Sequence, residues 1–310
     1  MRVLVTGGAG FIGSNLVHVL LGSHEVGVID DLSTGRPANL HPAAWNRTMD
    51  ILDERLSSTV AEFQPEVVVH LAAQASVPRS IIDPVRDWEV NVDGTRRVAQ
   101  AAAAAGARRV ISASSAAVYG EPAELPLRES STTVPVNPYG SSKLAAEGAL
   151  ADTLAGTATD FASMRFSNVY GPRQDAEGEG GVVAIFCSEL AAGRAPKVLG
   201  SGGQTRDFIY VADVVTALMA AAEYGGELAE TSGGAAFNVS TGQEISVNTL
   251  ANTLRPIADY FGSFETGPAR AGDIERSVLD PSKIHEVLGW EAQVPLEVGL
   301  TPTYRWFSGR

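Results

Sequence analysis

The chain has 310 residues, 45% hydrophobic and 19% charged, the composition of an ordinary folded protein with ample core, which excludes intrinsic disorder. A formal net charge of −13 argues against nucleic acid or an anionic membrane as partner, so an anionic ligand has to be held locally by a few arginines. There is no apolar run long enough to span a bilayer and no secretory leader, so a cytoplasmic protein is expected; Cys187 is the only cysteine and the five histidines are scattered, which leaves neither an internal disulfide nor a metal site.

The first strand, "RVLVT" (2–6), runs into "GGAGFIGSN", where Gly7, Gly10 and Gly13 stand in the order G-x-x-G-x-x-G before a helical stretch. Glycines permit a tight turn and close backbone approach, so free N–H groups and the helix N-terminus can hold a pyrophosphate. The second strand, "EVGVID" (25–30), ends on Asp30, seventeen residues past Gly13 and followed by Asp31. A carboxylate there can accept from both ribose hydroxyls of an adenosine and repels a 2′-phosphate, which selects NAD over NADP.

Further strands are expected at "EVVVHLAA" (66–73), "RRVISASS" (108–115) and "FASMRFS" (161–167). They are apolar almost throughout, as strands buried on both faces are, and helical stretches such as 83–107, with Gly106 as its stop, separate them. The expected class is α/β, a doubly wound parallel sheet of Rossmann type. Residues 1–167, with a return segment 207–240, would form the dinucleotide domain; 168–206 and 241–310 would form a smaller, loop-rich substrate domain.

"PVNPYGSSKLAAEG" (135–148) opens another helix and places Tyr139 four residues ahead of Lys143. That spacing puts phenol and ammonium on one face, and a fixed cation beside a phenol lowers its pKa from ~10 towards the range where it can take a proton. Ligands of doubly wound sheets sit at the carboxyl ends of strands, where "ISASSAAVYG" places Ser114 and Ser115. A serine hydroxyl there can hydrogen-bond the oxygen that gains or loses a proton.

Taken in order, "TGGAGFIG", "DILD", "HLAAQASVPRS", "NVDGT", "SSAAVYG", "YGSSK", "RFSNVYGPRQ", "GQTRDFIYVADV" and "RAGD" resemble the extended short-chain dehydrogenase/reductase family along essentially the whole chain. Within that family the chain is most similar to the bacterial UDP-glucose 4-epimerases. The resemblance implies that Tyr139 is the acid/base, Lys143 its partner on the cofactor side, and Ser115 the hydroxyl that meets the sugar O4. It places Gly7, Gly10, Phe11, Ile12, Gly13, Asp30, Asp31, Asp50, Ile51, Leu71, Ala72, Ala73 and Asn91 around a retained NAD. It makes Asn168 a substrate contact, Arg206 and Arg270 the grip on the diphosphate, and Ser277 a gatekeeper small enough to admit an N-acetyl group. It also implies a homodimer formed by helices flanking the sheet.

The implied reaction oxidises the sugar at C4, lets the 4-keto sugar turn over in the pocket, and reduces it on its other face. Rival readings are a 4-epimerase of UDP-glucuronate or dTDP-glucose, a nucleotide-sugar 4,6-dehydratase or decarboxylase, and a non-catalytic NAD(H) sensor. Dehydratases of this fold carry an acidic pair after the Ser/Thr, where this chain has Ala116 and Ala117; a sensor typically lacks the tyrosine or lysine that this chain retains.

Overall fold

A computed structural model describes residues 1–176, 181–232, 234–269 and 274–309. In chain order the first half contains β1 (Arg2–Thr6), α1 (Phe11–Leu20), β2 (Glu25–Asp30), β3 (Trp45–Thr48), α2 (Leu56–Phe63), β4 (Val67–His70), α3 (Val77–Ile82), α4 (Pro84–Trp88), α5 (Gly94–Ala104) and β5 (Arg109–Ser115). Then follow α6 (Pro138–Leu154), β6 (Asp160–Phe166), β7 (Asn168–Tyr170), α7 (Val182–Ala191), β8 (Lys197–Leu199), β9 (Thr205–Arg206), β10 (Phe208–Tyr210) and α8 (Val211–Glu223). The last elements are β11 (Ala236–Val239), β12 (Ile245–Ser246), α9 (Val247–Ile257), β13 (Glu265–Gly267), α10 (Ser282–Leu288) and α11 (Leu296–Ser308).

Seven strands form one sheet in the order β11-β6-β5-β4-β1-β2-β3, with every pairing parallel. Because β1, β2, β4, β5 and β6 carry runs of buried apolar side chains on both faces, helices cover the sheet twice. Leu16, Val17 and Leu20 of α1 pack with Val214, Leu218 and Ala221 of α8 on one face, while Val60 of α2, Val98 of α5 and Leu150 of α6 cover the other. The strand order reverses between β1 and β4, so the crevice of the switch point opens above the carboxyl ends of those two strands. A second core of Val183, Phe186, Leu250, Leu254 and Leu300 joins α7, α9 and α11 beside the small β7–β10 pair.

The five expected strands are all present, but β4 stops at His70, and residues 71–73 leave the ladder to enter the crevice wall. Expectation missed β3, whose "WNRT" is polar because it lies at the sheet edge, and β11, which is only four residues long. The stretch 83–107 is a single helical course, interrupted by one π-helical segment at Glu89–Asp93 between α4 and α5.

Candidate active site

A cleft of about 280 Å³ follows the carboxyl ends of β1, β2, β4, β5 and β6. At one end lies the glycine loop. Gly7 has φ +74°, and a Cβ on it would come within 2.6 Å of the Ala72 amide nitrogen, while a Cβ on Gly13 would meet the Gly7 carbonyl oxygen at 2.1 Å. Only hydrogen at both positions lets the loop fold flat, so the first turn of α1 (Phe11, Ile12, Gly13), whose amides have no acceptor within the helix, lines the cleft. Buried Asp30 accepts from the amides of Ala9 and Leu32, both at 2.8 Å. Burial pushes its pKa up, and these two amides pull it down. Two of the carboxylate's lone-pair sites remain for a pair of hydroxyls. Asp31, Asp50, Ile51, Leu71, Ala72 and Ala73 complete this end. A glycine cradle that a single Cβ would fill, followed by an acid at ribose distance along the chain, fits NAD.

Asn91 does not line the cleft. Its side chain is buried behind the wall, accepting from the Gln74 amide at 2.9 Å and donating to the Gln74 carbonyl at 3.0 Å and to Ser142 Oγ at 2.9 Å. It braces the loop after β4 against α6 and lies one layer further back than its expected place beside the cofactor. In the same layer, His70 stands between Thr6 Oγ1 at 2.7 Å from Nδ1 and Thr95 Oγ1 at 3.1 Å from Nε2. Thr95 spends its proton on the Asn91 carbonyl at 2.6 Å, so it must accept from Nε2–H, and Nδ1 accepts from Thr6. Burial, reinforced by the Lys143 charge, lowers the ring's pKa to about 3 and keeps it neutral.

At the middle of the cleft α6 begins. Asn137 caps it by accepting from the Gly140 amide at 2.9 Å, Pro138 occupies the first turn, and the Tyr139 amide donates to Ser80 Oγ of α3 at 3.1 Å. Thus pinned, the helix presents Tyr139 and Lys143 together. Lys143 is buried, donates to the Ala113 carbonyl at 3.0 Å, and holds its Nζ 6.0 Å from the Tyr139 ring centroid. Ser114 and Ser115 both line the cleft but differ in chemistry. Ser114 gives its proton to Glu147, whereas Ser115 Oγ accepts from the Ala117 amide at 3.2 Å and has its own proton to offer.

The far end holds Asn168, exposed at the cleft wall, with its main-chain N–H donating to the Asp207 carbonyl at 2.9 Å. Asp207 itself is buried and turned away from the cleft, accepting from Thr241 Oγ1 at 2.7 Å and the Gly242 amide at 3.0 Å; burial raises its pKa. Arg206 and Ser277 do not line the cleft. They lie on neighbouring segments, since Thr205 bridges Arg276 and β9 carries Arg206 alongside. Arg270 falls outside the described residues. Sequence reading overlooked Gln174. Its Nε2 donates to the Val169 carbonyl at 3.1 Å, so its Oε1 faces the other way, buried in the cleft wall with no partner among the described residues. "YGPRQ" contains no signal for that orientation, which depends on burial alone.

The model of the NAD-dependent epimerase/dehydratase family matches residues 3–239. The chain belongs to the NAD-dependent epimerase/dehydratase family. Members similar to it over their full length include the UDP-glucose 4-epimerase of Mycolicibacterium smegmatis, 45% identical, with 100% of this chain and 99% of the relative covered. The crystal structure of the Thermotoga maritima UDP-glucose 4-epimerase with UDP-glucose superimposes with a TM-score of 0.93 at 38% identity, covering 100% of this chain and 99% of that one. The Thermus thermophilus UDP-glucose 4-epimerase in complex with NAD gives 0.90 at 38% identity with the same coverage.

Proposed function

We propose that the chain is an NAD-dependent 4-epimerase of UDP-hexoses that interconverts UDP-glucose and UDP-galactose through oxidation at C4. The observation that carries this reading is the convergence of Tyr139, Lys143 and Ser115 on the middle of a cleft whose one end is built for a dinucleotide. Ser115 donates to the sugar O4, and Tyr139, as tyrosinate beside the Lys143 cation, takes the proton of the 4-hydroxyl and later returns it. NAD, when bound, supplies the acceptor and donor of the C4 hydride. The 4-keto sugar turns over while Arg206 and Arg270 hold the diphosphate and Asn168 contacts the substrate. Neither Ala116 nor Ala117 can move a proton, so loss of water from C5 and C6 has no catalyst there. Ser277, on the segment beside the cleft, meets the sugar where the substrate extends past the cleft lining, and its small side chain leaves room for an N-acetyl group, so that UDP-N-acetylglucosamine is a second substrate.

This reading divides the chain into an NAD-binding unit of 1–167 with 207–240, and a sugar-nucleotide unit of 168–206 with 241–310. The reading also makes the enzyme a cytoplasmic one; no helix among the described residues is long and apolar enough to cross a membrane. Ile81, Ile82, Val85 and Trp88 expose apolar surface on α3 and α4, beside the Tyr139 helix, and support a homodimer through that face.

The deciding experiment is proton NMR of the purified protein with UDP-galactose and no added cofactor. The C4 epimer should appear, and Tyr139→Phe should abolish it while NAD stays bound. A 6-deoxy-4-keto product, or an unaffected Tyr139→Phe variant, would overturn the assignment.

A further inference from the structure

Tyr139, Lys143 and Glu147 are spaced four apart and share the face of α6 that meets the sheet. Glu147 does not line the cleft. Its carboxylate accepts from Ser114 Oγ and, as a fork, from Arg165 Nε at 2.9 Å and Nη2 at 2.7 Å. The two side chains are only 13% and 7% exposed. Arg165 also donates to Tyr119 Oη at 3.0 Å, Tyr119 donates to Asn238 Oδ1 at 2.7 Å, and Asn238 Nδ2 donates to the carbonyls of Leu127 and Asp280. One line of hydrogen bonds therefore runs from the Tyr139 helix to the stretch that carries Ser277.

A buried ion pair is no more stabilising than an apolar pair of the same volume, so its position beneath the cleft needs another reason. Two are visible. The pair fixes the Ser114 proton, which leaves Ser115 as the hydroxyl that donates into the cleft. It is also electrically neutral as a unit, and Glu147 stands eight residues, ~12 Å of helical rise, from Tyr139. Burial opposes the Arg165 charge, and hydrogen bonding to Glu147 more than offsets this, raising the guanidinium's hold on its proton.

We propose that Glu147, together with Arg165, is a positioning residue of the epimerase: a buried neutral pair that orients Ser114 and sets the local charge on which the proton affinity of Tyr139 depends. The proposal deepens the epimerase reading and rests on it for its rate readout. The other charged or titratable groups around this pair are Tyr119 and Glu129 after β5 and Lys283 on α10, with Lys143 one turn away on the same helix and neutral His70 of β4 within reach of the Lys143 charge. All of them stay unchanged in the variants below.

The test is the pH profile of kcat. Glu147→Gln leaves Arg165 unopposed, and a unit charge at ~12 Å with an effective dielectric of ~20 shifts a proton affinity by about one pH unit. The acidic limb should move down by about that much and kcat should fall ~10-fold, with KM within about twofold. The double variant Glu147→Gln/Arg165→Met restores neutrality and should return the limb to its native position. A limb unmoved in the single variant, or still displaced in the double, would reduce the pair to packing and overturn the proposal.

If the single variant fails to fold, Ser114→Ala removes the bond that ties the end of β5, and with it Ser115, to the Tyr139 helix, without orphaning a charge. It should lower kcat ~5-fold at constant KM, and an unchanged kcat overturns the proposal equally. An inactive native protein would instead sink the epimerase reading, so the two failures are distinguishable.

Discussion

Acidification from about pH 7.5 to about pH 5.0 probes the neutral ring of His70. Held between Thr6 and Thr95, its pKa lies at about 3 against the ordinary 6.5, from burial first and the Lys143 charge second. Below pH ~6.5 the unfolded chain takes up a proton at this ring that the folded chain refuses, so stability falls as the pH drops from 6.5 towards 3, by ~1.4 kcal/mol per pH unit. Near neutrality the effect is nil, and at pH ~5.0 it amounts to about 2 kcal/mol. Asp30 and Asp207 act in the opposite sense, because burial raises their carboxyls and the folded state then holds protons more tightly than the unfolded one on acidification. Their contribution is common to the native chain and a His70→Gln variant, whose amide offers an N–H towards Thr95 and a carbonyl towards Thr6 without titrating. Urea unfolding of both proteins at both pH values, with NAD at one fixed concentration, isolates the histidine. The native chain should lose about 2 kcal/mol more than the variant. Equal losses would refute the neutral, doubly bonded ring.

Gly13→Ala should abolish NAD retention and destabilise the fold by ~1–3 kcal/mol, because its methyl would collide with the Gly7 carbonyl; absorbance of released cofactor and urea unfolding check this. Gln174→Leu removes the unpartnered acceptor in the cleft wall and should raise KM ~5-fold, the value of one neutral hydrogen bond, in steady-state kinetics. Ser277→Tyr should cut turnover of UDP-N-acetylgalactosamine ~100-fold while sparing UDP-galactose, and comparable losses on both substrates would count against a gatekeeper at that position.

The features that were legible in the sequence are those where the residue type and its neighbours in the chain fix the outcome. Gly7 and Gly13 are required by clashes with Ala72 and with the loop itself, Asp30 closes a strand, and the Tyr139–Lys143 spacing follows from the helix. Features that depend on distant partners were not legible. Asn91 sits in "NVDGT" where a cofactor contact is expected, yet Gln74 and Ser142, brought in by two other elements, claim its side chain. Adjacent in sequence, Ser114 and Ser115 are separated in role only by Glu147, which arrives from the next helix. Gln174 and the Glu147–Arg165 pair are ordinary polar residues until burial is known, and burial is a property of the whole fold.

The place of β11 in the sheet has a consequence for how the chain is made. A ribosome releases β1 to β6 within the first 166 residues, and the emerging sheet then ends on β6, an open parallel edge next to the strand that bears Ser114 and Ser115. That edge stays uncovered until residues 236–239 arrive, after the whole excursion through β7, α7 and α8 has been synthesised. Pairing across such a separation is slow and leaves the nascent sheet able to add foreign strands, so the interval before β11 docks is when this protein is most exposed to aggregation and most dependent on chaperone cover.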